Sequence, residues 1–213
     1  MSKVSLVNKA ITDKITKSTV ILDPAGLSFM QSSFSGAGGA SGAIYKLLDT
    51  NKPNYEVINH FNKFKDLDDL YKNNKTNLSV AHYGSYNDNN IKLIHTVGPD
   101  FRTSKYLQEI LNNTQETDKL FYKIYDDVYK EFVRVSNENK GKTKLTLRLL
   151  PISSGIFINN DFISKFKLFR SLIITYHKLN DKYKKELKTK PKIYLYDKDD
   201  HKLMKFLSQI KLN

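Results

Sequence analysis

Five of the nine glycines in this chain fall between Gly26 and Gly42, and Ser35–Ala43 reads SGAGGASGA ahead of Ile44-Tyr45-Lys46-Leu47-Leu48. A run of Gly and Ala lets backbone N–H groups come close to an anion, because at most a methyl group stands in the way. A helix starting near Ser41 would aim its unsatisfied N–H groups and its positive dipole end at the same point. This is equipment for phosphate, although a tight turn with no ligand uses the same residues. A second loop reads Pro151-Ile152-Ser153-Ser154-Gly155-Ile156-Phe157. Small hydroxyl residues, a glycine and two large apolar side chains suit an anion cradle with an apolar lid. In parallel sheets, ligands bind outside the carboxyl ends of the strands, and this loop follows a strand-like run. Two cradles on one sheet point to a diphosphate.

The common phosphate motifs do not fit. A P-loop needs Lys after its last glycine, and here Ala43 follows Gly42. In a dinucleotide fingerprint the spacing Gly36, Gly38, Gly42 has one residue too many, and Ser28–Ser35 is not a buried strand. With no cysteine, disulfides, thiolate metal sites and cysteine nucleophiles are excluded. The five histidines lack the spacing of a helical zinc pair, so a metalloenzyme of the common kind is not expected; no cofactor is expected either. His95, among Ile94 and Val97, reads as a structural histidine and not a base.

The elements that must position these loops alternate in type. Thr19–Leu22, Ile91–Val97, Lys144–Leu150 and Lys192–Tyr196 read as strands, with Leu78–Tyr83 a weaker fifth. Tyr55–Tyr71, Asp118–Val135, Asp161–Lys178 and Asp199–Ile210 read as helices. In the second, Leu120, Ile124, Val128 and Phe132 form one stripe; in the third, Phe162, Phe166, Phe169, Ile173 and Tyr176 do. Such alternation means crossover connections and a largely parallel sheet covered on both faces, an α/β class. The polar stretches Leu70–Asn77 and Ser136–Thr143 are flanked by elements that need each other's faces, so residues 1–213 are expected to form one domain.

Lys and Arg outnumber Asp and Glu by 35 to 22, for a net charge of +13. Residues 101–213 hold 24 of the bases and 13 of the acids, so +11 lies there, densest in Lys178–Lys192. Such a run is a solvated helix end and loop or an anion surface; its aromatics are not interleaved as a base-stacking strip would have them. No segment approaches the roughly 20 apolar residues of a membrane span and no secretion signal is visible. An intracellular protein, cytoplasmic or nuclear, with no membrane partner is expected.

Four places in order carry a resemblance. They are Asp23-Pro24-Ala25-Gly26, Ala37-Gly38-Gly39-Ala40-Ser41-Gly42-Ala43-Ile44, Leu93-Ile94-His95-Thr96-Val97-Gly98-Pro99 and Ile152-Ser153-Ser154-Gly155-Ile156-Phe157. Together, with Tyr196-Asp197 closing the last strand, they resemble the macro domain family. Its patterns there are Asn-Ala-Ala-Asn, Gly-Gly-Gly-Val-x-Gly-Ala-Ile, Val-Ile-His-x-Val-Gly-Pro and Ile-Ser-x-Gly-Ile-Phe. The resemblance covers roughly Leu6 to Leu212. It implies a three-layer α/β/α sandwich with a mixed, largely parallel central sheet and a cleft for ADP-ribose. Gly38, Gly39, Ala40 and Ser41 would pass under the diphosphate and distal ribose. Ser153, Ser154, Gly155, Ile156 and Phe157 would close over it, with the Phe157 ring against that ribose. Tyr196 would stack on adenine, and Ile11 and Gly26 complete the implied ligand-binding set.

The departures fall on the chemistry. The family's adenine-binding Asp lies in a Gly-Asp-Ile-Thr-like motif; here Lys9-Ala10-Ile11-Thr12 puts Ala10 at that place. Losing such a charge-assisted hydrogen bond weakens binding by roughly 1.5–3 kcal/mol or changes base preference. The second Asn of Asn-Ala-Ala-Asn, which in hydrolytic members helps position the attacking water, is Gly26, and Asp23 replaces the first. Three readings follow. The leading one is a module that binds ADP-ribose, free or attached to a protein. An alternative is a hydrolase of mono-ADP-ribosylated protein or of ADP-ribose 1″-phosphate, with Asp23, or the long loop after Gly26 with its Ser28, Gln31, Ser32 and Ser33, in place of the missing Asn. The third is a diverged fold that binds RNA or poly(ADP-ribose) through its basic half.

Overall fold

The computed structural model describes residues 4–73, 81–86, 91–139, 143–158 and 161–210. Six strands form one mixed sheet: β1 (Leu6–Val7), β2 (Thr19–Ala25), β3 (Ala81–Tyr86), β4 (Ile91–Val97), β5 (Thr146–Leu149) and β6 (Lys192–Tyr194). Their order is β1-β6-β5-β2-β4-β3, and only β3 runs antiparallel, against β4. Val20, Ile21 and Leu22 are fully buried, as befits a central strand covered on both faces. The edge strand β3 carries the half-buried His82 and Tyr83 and the exposed Ser85.

Helices flank the sheet: α1 (Leu27–Gln31), α2 (Gly39–Leu48), α3 (Tyr55–Phe61), α4 (Lys105–Asn112), α5 (Thr114–Glu138), α6 (Phe162–Lys182) and α7 (Lys198–Leu207). α1 and α3 pack together and reach β4 and β3, α5 packs against α4, α6, β3 and β4, and α6 meets α7. The result is the expected three-layer sandwich. The long helices start where side-chain caps meet their first N–H groups: Asn113 for α5, Asp161 for α6 and Asp197 for α7. The anticipated stripe of Leu120, Ile124, Val128 and Phe132 is buried.

The expected helix Tyr55–Tyr71 is broken into α3 and a π-helical turn, Asp69–Asn73. The cause is local: Asp69 N–H donates to the Asp66 carboxylate and Lys65 N–H to that of Asp69. Such side-chain bonds compete with the helical ladder. Ala81–Tyr83 of the weaker strand lies in β3, while Leu78–Val80 falls outside the described residues. β5 and β6 end before the runs Lys144–Leu150 and Lys192–Tyr196 do, because Leu150, Leu195 and Tyr196 leave the sheet to line a cleft; β5 also begins later, at Thr146. No helix among the described residues is long and apolar enough to cross a membrane.

Candidate functional site

A cleft of about 670 Å³ opens at the carboxyl ends of β2, β5 and β6. It is lined by Ala10–Thr12, Pro24–Gly26, Phe29, Ala37–Ser41, Ala43, Leu150–Pro151, Ser153–Phe157, Tyr194–Asp197 and Asp200. All the positions implied as ligand-binding lie on its wall: Ile11, Gly26, Gly38, Gly39, Ala40, Ser41, Ser153, Ser154, Gly155, Ile156, Phe157 and Tyr196.

One wall is the start of α2. Gly38 caps the helix with its backbone alone, and the first intrahelical bond is Gly42 N–H to Gly38 carbonyl, 3.0 Å. The N–H groups of Gly39, Ala40 and Ser41 are therefore left over at the positive end of a ten-residue helix. Gly39 has φ +59°, a left-handed conformation that suits glycine, and a Cβ added there or at Gly38 would meet open space. Gly42 is packed differently, since a Cβ would come within 2.4 Å of the Ala37 carbonyl oxygen.

Beneath this wall lies a buried polar cluster. Asp23 and His95 are neighbours in register on β2 and β4, both with no exposed surface. Ser41 Oγ donates to Asp23 Oδ1 and Tyr45 Oη to Oδ2, each at 2.6 Å. His95 Nδ1 lies 2.9 Å from Oδ2, and its Nε2 lies 2.7 Å from the Tyr86 hydroxyl. Burial, then the Asp23 carboxylate, pushes the Tyr45 hydroxyl far above the ordinary tyrosine value, so it remains a donor. Asp23, the catalytic candidate of the sequence, is not among the residues that line the cleft. Both its oxygens are occupied and it is sealed under the cleft, where it holds α2 in place. The hydroxyl of Ser41 is likewise turned down to Asp23, leaving its backbone N–H to the cleft. His95 is the structural histidine expected.

The facing loop hangs from α5. The Tyr125 hydroxyl donates to the Leu150 carbonyl at 2.8 Å and accepts from Ile152 N–H at 3.0 Å. Ser154 Oγ donates to the Pro151 carbonyl at 2.9 Å. Ser153 has φ +63°, and its buried hydroxyl has no partner. A Cβ added at Gly155 would meet nothing, so its own surroundings leave it room. Phe101 N–H donates to the Phe157 carbonyl at 3.1 Å, and the Arg102 guanidinium, forked onto Asp100, stands 5.7 Å from the Phe157 ring centre. Gly98 lies so close under Ser153 and Phe157 that a Cβ would approach them to 3.1–3.3 Å.

At the other end, Tyr196 is 83% exposed while Ile11 is buried. Residues that local motifs did not point to organise this end. Arg148 of β5 donates to the carbonyls of Ile11 (2.8 Å), Asp13 and Lys14 (2.9 Å), and stands 4.6 Å from the Tyr194 ring centre. It therefore holds the segment that carries Ile11. The one available signal was an arginine inside an apolar strand. Asp197 and Asp200 are the carboxylates of the lining, and both are engaged. Asp197 caps α7, where the N–H groups of Asp200 and Asp199 hold its carboxyl below the ordinary value; Asp200 pairs with Lys165 at 2.9 Å. The cleft thus presents backbone N–H groups at its middle and apolar or aromatic surface towards its ends.

No family model matches the sequence, and no curated protein does. Solved structures are similar in fold. A macrodomain of Oceanobacillus iheyensis with MES bound gives a TM-score of 0.54 at 17% identity, covering 95% of this chain and 88% of that one. The same organism's macrodomain with ADP gives 0.53 at 17% identity, over 95% and 87%. A Trypanosoma brucei macrodomain in complex with ADP-ribose gives 0.55 at 14% identity, over 96% and 68%. The chain has the macrodomain fold.

Proposed function

We propose that the cleft binds ADP-ribose, either free or as the modification carried by a protein. The observation that carries this reading is the pair of facing donors: the leftover N–H groups of Gly39–Ser41 and the unpartnered Ser153 hydroxyl beside Gly155. They stand in a cleft of a size suited to a small ligand, in a fold shared with proteins solved with ADP or ADP-ribose. The diphosphate lies between the two loops. Gly26, Phe29 and Phe157 flank the distal ribose, and the base sits between Ile11 and Tyr196. Recognition without turnover fits the buried Asp23 and the engaged Asp197 and Asp200, since none offers a general base at the distal end.

Calorimetric titration with ADP-ribose, ADP and AMP tests this. One-to-one binding that tightens with the diphosphate and again with the distal ribose is expected. No heat with any of the three overturns the reading.

A further inference from the structure

The parallel strands β2, β4, β5 and β6 begin, at the end of the sheet away from the cleft, among lysines. Lys17 precedes β2, Lys144 precedes β5, Lys192 opens β6 and Lys92 is the second residue of β4. These strands are neighbours, in the order β6-β5-β2-β4. The register that pairs Thr19 with Thr146 sets Lys17 level with Lys144 just outside the strands, and Lys92 Nζ donates to the Lys17 carbonyl at 3.2 Å. α6 runs back from the cleft and ends at this edge, followed by a turn that carries Lys184, Lys185, Lys188 and Lys190. The Thr189 hydroxyl donates to the Leu145 carbonyl and ties that turn to the start of β5. Lys17, Lys144 and the four lysines of the turn are exposed, and none of them forms an ion pair among the described residues.

We propose that this lysine face binds the phosphate backbone of double-helical nucleic acid, at a site separate from the cleft. Lysines at a helix end offset the negative end of its dipole, which accounts for those following α6. It does not account for Lys17 and Lys144, which enter from the loops before two other elements. Neighbouring strands lie about 4.8 Å apart, so four strand ends spread their cations over roughly 14 Å, and the turn adds a second row. A row fixed by a sheet edge matches a stiff polyanion with regularly repeated charge. No large apolar side chain is exposed between Tyr183 and Lys192. Among the described residues this turn therefore offers neither the stacking platform of a single-strand binder nor the apolar anchor of a membrane surface. The seven residues of β2 separate the two sites by roughly 20 Å.

The test is fluorescence anisotropy of labelled duplex DNA and duplex RNA of one sequence, titrated at several salt concentrations. Binding is expected to weaken with salt, with a log–log slope equivalent to about four or more phosphates on DNA, each worth about 0.9. The combined variant Lys144→Gln, Lys184→Gln, Lys185→Gln, Lys188→Gln should bind at least about tenfold more weakly, with an unchanged circular-dichroism melt and unchanged ADP-ribose titration. Binding to only one of the two duplexes would support the site and name its source. Four results would overturn the proposal. They are no salt-dependent binding to either duplex, tighter binding to the single strand, equal competition by polyglutamate or anionic vesicles, or displacement by ADP-ribose, which would put the nucleic acid in the cleft.

Discussion

Beneath Gly38–Ser41 the molecule buries a carboxylate with three side-chain partners, whereas Ser153–Phe157 rests on a tyrosine hydroxyl, a packed ring and its own backbone. The first wall is positioned from inside the protein, by side-chain groups turned away from the cleft. The second keeps a left-handed serine, an unpartnered hydroxyl and an open glycine at the cleft surface. A substitution under the first wall should therefore register in folding, and one in the second in binding.

The largest expected effect tests the buried side of that contrast. Asp23→Ala strands Ser41, Tyr45 and His95 around a void and should lower unfolding free energy by about 3–5 kcal/mol, measured by urea denaturation. A loss below about 1 kcal/mol would mean that the cluster does not anchor α2. Next comes the open side. Gly155→Glu sends a carboxylate into the space beside Ser153, and should weaken ADP-ribose at least about 100-fold while stability stays within about 0.5 kcal/mol. A parallel collapse of stability would erase the distinction between the two walls.

A smaller effect is expected at the base end. Tyr196 is 83% exposed, so Tyr196→Ala should leave the fold intact. Loss of stacking on the base should weaken ADP-ribose by about 1–2 kcal/mol, roughly five- to thirtyfold, with less effect on ligands lacking the base. Equal weakening of a ribose phosphate would show that the ring closes the cleft without meeting the base.

The smallest effect lies outside both walls. Burial pushes His82, stacked 5.0 Å from His60, and His177 below the ordinary histidine value. The unfolded chain then takes up their protons at higher pH than the fold does, so stability is retained above about 6.5 and declines as pH falls below it. His82→Gln should flatten that decline in melting temperature against pH without altering ADP-ribose binding. An unchanged profile would assign the decline elsewhere.

Much of this was legible along the chain, because the signals are local. Glycine at 38, 39 and 155 and serine at 153 mark the two loops that line the cleft within a few residues each, and helical or strand periodicity needs only the neighbours in a window. Asp23 stands next to the cleft in sequence yet turns inward, because its partners come from α2 and β4. Arg148 carried no motif, since it meets the cleft through Ile11, far away in the chain, and Asp200 carried none, since its partner Lys165 lies on another helix.

Residue types and spacing by themselves determined the α/β class, the position of both loops and the absence of thiol chemistry, because those follow from side-chain identity and short-range geometry. Only the tertiary structure decided which polar groups face a ligand and which face one another. It also decided that lysines from residues 17, 144 and 184–190 share one edge. Parallel strands joined by crossovers bring the starts of distant segments side by side, and no local pattern in the chain records that meeting.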